Sequence, residues 1–414
     1  MTDDVTAPAL PDHLPDELRS FVRGQVALAE LPAAAIVTET VAYFADQAAP
    51  ERVEALAWAV VAEELTAHLA DQATWPAVTD SDRLTAAFRA LTAAGIMARE
   101  NFACCQNCGL GEIGAEAPGT IEPRGYAFYH QQDAERGVAG EGVHVAYGLF
   151  DQPPSVEIGA EVAAALRAQG LTVHWNDDVA SRIFVPLDWR RRRAGRFAAV
   201  PAAVADDVEV DVELVGEWTG RHAPTQGPTP AGRFVALHLP WLPAAVRVRL
   251  EADGRSVTIR RVGDRLVGRY ADPELPELTV GRHDGAALVR RLRGLSPAAT
   301  PTAEPVGYVE VTGDHPYGED REVAMELAEL LEAVRAMRPL SYDFLTCFGR
   351  SGGCVQTTWN PAGLWVEELD TEAAVSVGRY ATLPEVEQVL TVLAVQDRVA
   401  VRELGGELTT LNLR

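Results

Sequence analysis

The sequence predicts an α+β protein built as four consecutive units: a helical N-terminal segment (1–80), an α+β domain with a cysteine knuckle (81–195), a small β meander (196–295) and a C-terminal α+β domain (306–414). Three observations carry that expectation. Apolar residues recur at spacings of three and four in the first unit. Period-two alternation between tight glycine turns marks the third. Helix-length and strand-length apolar patterns alternate in the second and fourth, which is the signature of helices packed on a sheet.

Residues 15–72 read as helical, with breaks at Pro32 and Pro50. Val53, Leu56, Val60, Val61 and Leu65 describe one buried face. Ser81 can cap a helix whose Leu84, Phe88 and Leu91 share a side, and Gly95 supplies its left-handed cap before a strand at Ile96–Phe102. The same punctuation returns with Ile158, Val162, Leu166 and Gly170, followed by a strand over Leu171–Trp175; Tyr126–His130 and Val143–Phe150 are the strands between. Residues 218–231 and 295–305 are linkers by composition. Between them Val246, Val248 and Leu250 alternate, Asp253–Gly254 turns, Val257 and Ile259 alternate, Gly263–Asp264 turns, and Leu266–Tyr270 follows. The last unit reads as a strand at Val306–Thr312, a helix from about Asp320 to Met337, antiparallel strands at Phe344–Phe348, Cys354–Trp359 and Leu364–Leu369, and a helix at Leu383–Val395.

The 414 residues are 47% apolar and 23% charged, enough to bury a core and to exclude disorder, collagen and fibre. All 36 basic residues are arginine. The missing lysine excludes Schiff-base catalysis, the P-loop lysine and the usual kinase strand lysine. A net charge of −24 opposes general binding to nucleic acid or to an anionic membrane. The charge is uneven: residues 1–80 hold 14 acids against 3 arginines and residues 296–414 hold 19 against 8, flanking a near-neutral middle. No basic and apolar leader opens the chain and no long uncharged apolar run follows, so a cytoplasmic setting is expected. Five cysteines fit reduced thiols, a metal or redox chemistry better than a disulfide framework.

Cys104-Cys105-Gln-Asn-Cys108-Gly is the strongest chemical signal. A Cys-x-x-Cys-Gly turn sets two sulfurs on one side of a tight loop, which suits zinc, with Cys104, His130 and His144 as the nearest further ligands. The competing chemistry is redox, in which a helix N-terminus lowers the first thiol, although Gly109, Gly111 and Gly114 crowd the helix this requires. Packing alone is the third reading. His130 and Asp133 could combine with Cys105 for acyl transfer, the imidazole taking the thiol proton.

Two motif matches fail on context. Gly109-x-Gly111-x-x-Gly114 lacks the preceding strand and following helix of a dinucleotide fingerprint. Gly349-x-Ser351-x-Gly353 is followed by a strand, and no histidine lies beyond His315, so Ser351 is a hairpin-turn serine and no nucleophile elbow. Cys347 and Cys354 flank that turn and are expected to be buried small residues able to sit opposite each other. Arg190–Arg193 and the meander's Arg247, Arg249, Arg260, Arg265 and Arg269 form a guanidinium stripe. Without interleaved aromatics it does not read as a nucleic-acid surface. It reads as a face for a protein partner or for one of the chain's own acidic ends.

The run RENFACCQNCGLGEI, then RGYAFYHQQDAERG, and on to DWRRRR at 188–193 resembles an actinobacterial domain family of unknown function, over residues 15–195. The resemblance implies a domain boundary near 195 and a bacterial cytoplasmic setting, and it brings no activity. The expected function is a non-enzymatic cytoplasmic binding or accessory protein with a structural thiol or zinc knuckle formed by Cys104, Cys105, Cys108 and His130. The alternative is a thiol-dependent enzyme using Cys105, Cys108, His130 and Asp133.

Overall fold

The computed structural model describes residues 11–116, 122–150, 152–153, 155–201, 208–218, 223–296, 307–313, 322–339, 343–360 and 362–413. The chain divides into two compact units, Met1–Arg193 and Ala194–Arg414. The first contains both the helical segment and the knuckle-bearing domain; the second contains the meander and the C-terminal segment.

Unit 1 opens with α1 (Leu14–Leu28), α2 (Ala33–Tyr43) and α3 (Pro50–Gln72). Leu14, Leu18, Val22 and Val26 recur every fourth residue and are buried, the stripe an amphipathic helix needs. Pro50 sits in the first turn of α3, where its missing N–H costs nothing. Across α1 and α3, Arg19 and Arg23 donate to Glu63 and Glu64. Helix α4 (Asp80–Ala93) starts in a capping box between Thr79 and Asp82 and ends at Gly95, whose φ of +82° only glycine adopts cheaply.

Then come β1 (Ile96–Arg99), α5 (Gln106–Glu112), β2 (Gly125–Phe128), α6 (Gln131–Val138), β3 (Val143–Leu149), α7 (Val156–Ala168) and β4 (Ile183–Val185). The sheet order is β1-β2-β3-β4, parallel between β1 and β2 and antiparallel elsewhere. Leu84, Phe88 and Leu91 of α4 and Ile158, Val162 and Leu166 of α7 cover one face. On the other, Gly109 of α5 lies so close to the Phe128 ring that a Cβ would stand 2.4 Å from it. All four residues of β1 are buried, as expected for a strand covered on both sides. Leu171–Trp175 is not a strand: only His174 bridges Phe184. The pairing goes instead to Ile183–Val185, too short a run to stand out in the sequence.

Unit 2 holds β5 (Glu209–Val215), β6 (Gly227–Pro230), α8 (Ala231–Leu237), β7 (Arg247–Ala252), β8 (Arg255–Val262), β9 (Arg265–Tyr270), β10 (Leu278–Gly281) and α9 (Ala286–Leu292). The meander β7-β8-β9 is the centre of a six-stranded sheet ordered β10-β9-β8-β7-β5-β6. The supposed linker at 218–231 therefore contributes an edge strand: Pro228 and Pro230 pair with β5 where only one side must bond.

The remaining elements are β11 (Tyr308–Thr312), β12 (Val323–Glu326), α10 (Leu327–Ala336), β13 (Phe344–Phe348), β14 (Cys354–Asn360), β15 (Gly363–Asp370), β16 (Val375–Tyr380), α11 (Leu383–Gln396) and β17 (Thr409–Asn412). They make an antiparallel seven-stranded sheet in the order β12-β11-β13-β14-β15-β16-β17, with α10 and α11 contributing to its apolar core. The helix expected from about 320 begins only at Leu327, because Val323–Glu326 pairs with β11; most of the linker at 295–305 and the start of that helix lie outside the described residues.

Within unit 2, Arg261 joins the two sheets. Its buried guanidinium donates to Leu242 O at 2.6 Å, Gly263 O at 2.8 Å and Glu310 Oε2 at 2.7 Å. Arg282 does the same through Ala324 O at 2.6 Å and Glu329, whose other oxygen accepts from Trp241 Nε1 at 2.5 Å.

Candidate thiol centre

The chain leaves β1 in a turn that two non-glycine residues take with positive φ, Asn101 at 45° and Ala103 at 60°. Such residues cost about 1 kcal/mol or more each and persist only where neighbours fix them. Here the fixing bonds are Phe102 N–H to Tyr129 O at 2.9 Å and Gln131 N–H to Ala103 O at 3.1 Å. The loop after β1 thus lies against the loop after β2, at the carboxyl ends of the parallel pair, the edge where open α/β sheets place their ligands.

Cys105 then caps α5 in an extended conformation, and its carbonyl accepts from Gly109 N–H at 2.9 Å. The helix forms in spite of its glycines: Gly109 is required by Phe128, and a 3₁₀ turn at Ile113–Glu116 continues it. The ligand atoms of Cys104, Cys105 and Cys108 lie within 4.8 Å of one another, with Cys104 Sγ and Cys108 Sγ 3.4 Å apart. Cys104 is exposed, and the other two are half-buried. Backbone N–H donation from Cys108, followed by its thiol, holds the Cys105 thiol below the ordinary range. Hydrogen bonds with Cys104 and Cys105 push Cys108 up to about 12. The two shifts run in opposite directions, so Cys105 is the sulfur that gives up its proton more readily and Cys108 the one that holds it.

That group contains no imidazole. His130 and Asp133 cap α6, with His130 Nε2 2.9 Å from Asp133 Oδ2, and Arg182 Nη1 reaches the same oxygen at 2.7 Å. His144, on β3, faces the other oxygen of Asp133 at 4.0 Å. The structure therefore sorts the candidates into a thiol cluster and a buried imidazole–carboxylate–guanidinium cluster on adjacent loops.

The arginine candidates divide too. Arg249 pairs with Glu213 and Glu251 at 3.3 and 3.1 Å, and Arg260 and Arg269 approach Glu277 at 3.9 and 3.6 Å. These acids belong to the same sheet or its flank, not to the chain's ends. Arg247 is exposed and Arg265 half-buried on that sheet. The run at 190–193 is consumed within unit 1: Arg190 meets Asp188, Arg191 meets Glu100, Arg192 meets Asp82, and Arg193 is 1% exposed. Arg182 and Arg261 carry no mark in the sequence, because nothing in a lone or doubled arginine distinguishes an inward guanidinium from an outward one, and the run at 190–193 does not reveal that Arg193 is its buried member.

Cys347 and Cys354 are both buried, yet Cys347 pairs with Val355 and Cys354 with Phe348, so a one-residue offset puts them on opposite faces of the hairpin. Ser351 sits in its turn and donates to Asp397 O at 3.1 Å.

Residues 11–193 match the family model of a domain of unknown function, DUF6891. That span includes both clusters. No curated protein and no solved structure matches the chain. No helix among the described residues is long and apolar enough to cross a membrane.

Proposed function

We propose that the DUF6891 domain of this chain is a thiolate metal-binding module, with Cys104, Cys105 and Cys108 holding one thiophilic ion, zinc in an ordinary cell. The observation that carries this reading is the convergence of three sulfurs within 4.8 Å. Zinc–thiolate bonds of about 2.3 Å in a tetrahedron separate sulfurs by about 3.8 Å, and the Cys104–Cys108 spacing needs only a small adjustment to meet that. The donors are soft, and the lowered Cys105 thiol eases the proton loss that metal uptake requires.

Three protein ligands leave a fourth position for water or for a donor from a protein partner. On this reading the protein is a non-enzymatic accessory protein of a reducing, cytoplasmic compartment, and the ion fixes a loop that a partner recognises. Elemental analysis of protein purified under reducing conditions tests it: one zinc per chain is expected, and Cys108→Ser should lose it. Metal-free protein after zinc exposure and buffer exchange would overturn it.

The lowered Cys105 thiol favours a second reading, thiol–disulfide exchange in which Cys105 attacks and Cys108 resolves. A metal-free sample with one thiol alkylating fast near neutral pH supports that reading against the first.

A further inference from the structure

The carboxylate oxygens of fully buried Asp133 are served unequally. Oδ2 accepts from Arg182 Nη1 at 2.7 Å and lies 2.9 Å from His130 Nε2. Oδ1 is buried without a hydrogen bond; its neighbours are Arg136 Nη1 at 3.8 Å and His144 Nδ1 at 4.0 Å, the latter also buried and unbonded. Two unbonded buried polar atoms facing each other across a gap too wide for a hydrogen bond mark a site that is not at its polar optimum.

His130 adds a conflict. Its Nε2 stands 3.2 Å from Arg182 Nη1 as well as 2.9 Å from the carboxylate. One nitrogen cannot accept from a guanidinium and donate to a carboxylate at once, so the neutral ring gives its N–H to Asp133 and leaves Arg182 to spend its own on the same oxygen.

The charged groups facing the two imidazoles are Asp133 and Arg136 from α6 and Arg182 from the segment before β4. Two guanidiniums stand against one carboxylate. Burial, then Arg182, hold the His144 ring below the usual histidine range, and burial does the same for His130 against the pull of Asp133. A proton added to either ring raises positive charge in a site that already has an excess.

The first turn of α6 is tied to the thiol loop by the bonds from Gln131 to Ala103 and from Phe102 to Tyr129. We propose that this cluster is an acid-triggered latch on the thiol loop: proton uptake by His144 and His130 loosens the start of α6 and, with it, the loop carrying Cys104, Cys105 and Cys108. The latch stands whether or not the thiols hold an ion, because its parts are the imidazoles, the carboxylate and the two backbone bonds.

Amide exchange of the intact chain, corrected for intrinsic rates and read at about pH 7.5 and about pH 5.5, tests it. Protection across 102–105 and 129–134 should fall about tenfold or more in acid, with α1 unchanged, and His144→Gln should shrink that fall about threefold or more. No fall in the unsubstituted chain, or an equal fall in the variant, overturns the latch. If the variant does not fold, ring titration of His144 and His130 by NMR replaces it: midpoints coinciding with the loss of protection support the latch, and midpoints more than about one pH unit away overturn it.

Discussion

The Arg193 guanidinium donates through Nε to the carbonyl of Val26 at 2.9 Å, joining residues 167 apart in sequence, and reaches Leu31 O at 2.9 Å and Gln25 O at 3.2 Å through its other nitrogens. These carbonyls lie at and just beyond the end of α1, where a cation is favoured, and Val26 O also accepts from the Ala29 N–H at 3.2 Å. The flanking strap completes the tie: Gln72 bonds both the N–H and the carbonyl of Arg193, and Trp189 donates to Ala27 O at 2.9 Å.

Arg193→Ala should therefore remove three hydrogen bonds from the buried guanidinium to backbone carbonyls and lower the stability of unit 1 by about 3 kcal/mol. Arg193→Lys should recover less than half, since an ammonium cannot reproduce the fork. Urea unfolding followed by intrinsic tryptophan fluorescence checks both.

Gly109→Ala should push α5 off Phe128, because the new methyl would stand 2.4 Å from that ring. A cost of about 1–3 kcal/mol is expected, with faster alkylation of Cys105 and Cys108 as their loop loosens. Gly111→Ala, with nothing within 4 Å of the added carbon, serves as the control and should leave both readouts near the parent values.

The contrast between those two glycines shows what was legible in the sequence. The α+β class, the helical opening, the meander and the C-terminal hairpins follow from periodicity and turn residues, which are local. The Cys-x-x-Cys spacing is local too, and it gave the three sulfurs. What the sequence hid depends on partners far along the chain: that Gly109 faces Phe128, that Arg193 reaches α1, that His130 turns toward Asp133 and Arg182 and not into the sulfur group, and that Gly227–Pro230 finds a strand to pair with.

Unit 2 should lose stability in acid. Hydrogen bonding from His283, together with Arg282, holds the Glu326 carboxyl at about 2. A folded value below the ordinary 4.5 means this contribution is present above about pH 4.5 and disappears as the pH falls toward 2. Glu326→Gln should flatten the stability profile across that window, as read by chemical unfolding at several pH values; an unchanged slope would count against the pair.

Glu329 anchors Trp241 at 2.5 Å and Arg282 at 3.4 Å inside unit 2. Glu329→Ala should cost about 1–3 kcal/mol, chiefly by leaving the buried Trp241 indole N–H without its acceptor while Arg282 keeps Glu326 at 3.2 Å, and Glu329→Gln less, because it can still accept from the indole. Thermal unfolding of the two variants distinguishes them.

Native thiol titration should separate the five cysteines. Cys104, Cys105 and Cys108 are accessible and should react before denaturation, whereas burial pushes the Cys347 thiol up and Cys354 up to about 11, so these two should react only after unfolding. Bound zinc should slow the first three and a chelator should restore them.

The most direct test of the thiol centre is X-ray absorption at the zinc edge on protein loaded with one equivalent. Three sulfurs at about 2.3 Å with one lighter donor is the predicted shell. A shell of nitrogen and oxygen alone, or one unchanged in Cys104→Ser and Cys108→Ser, would contradict it.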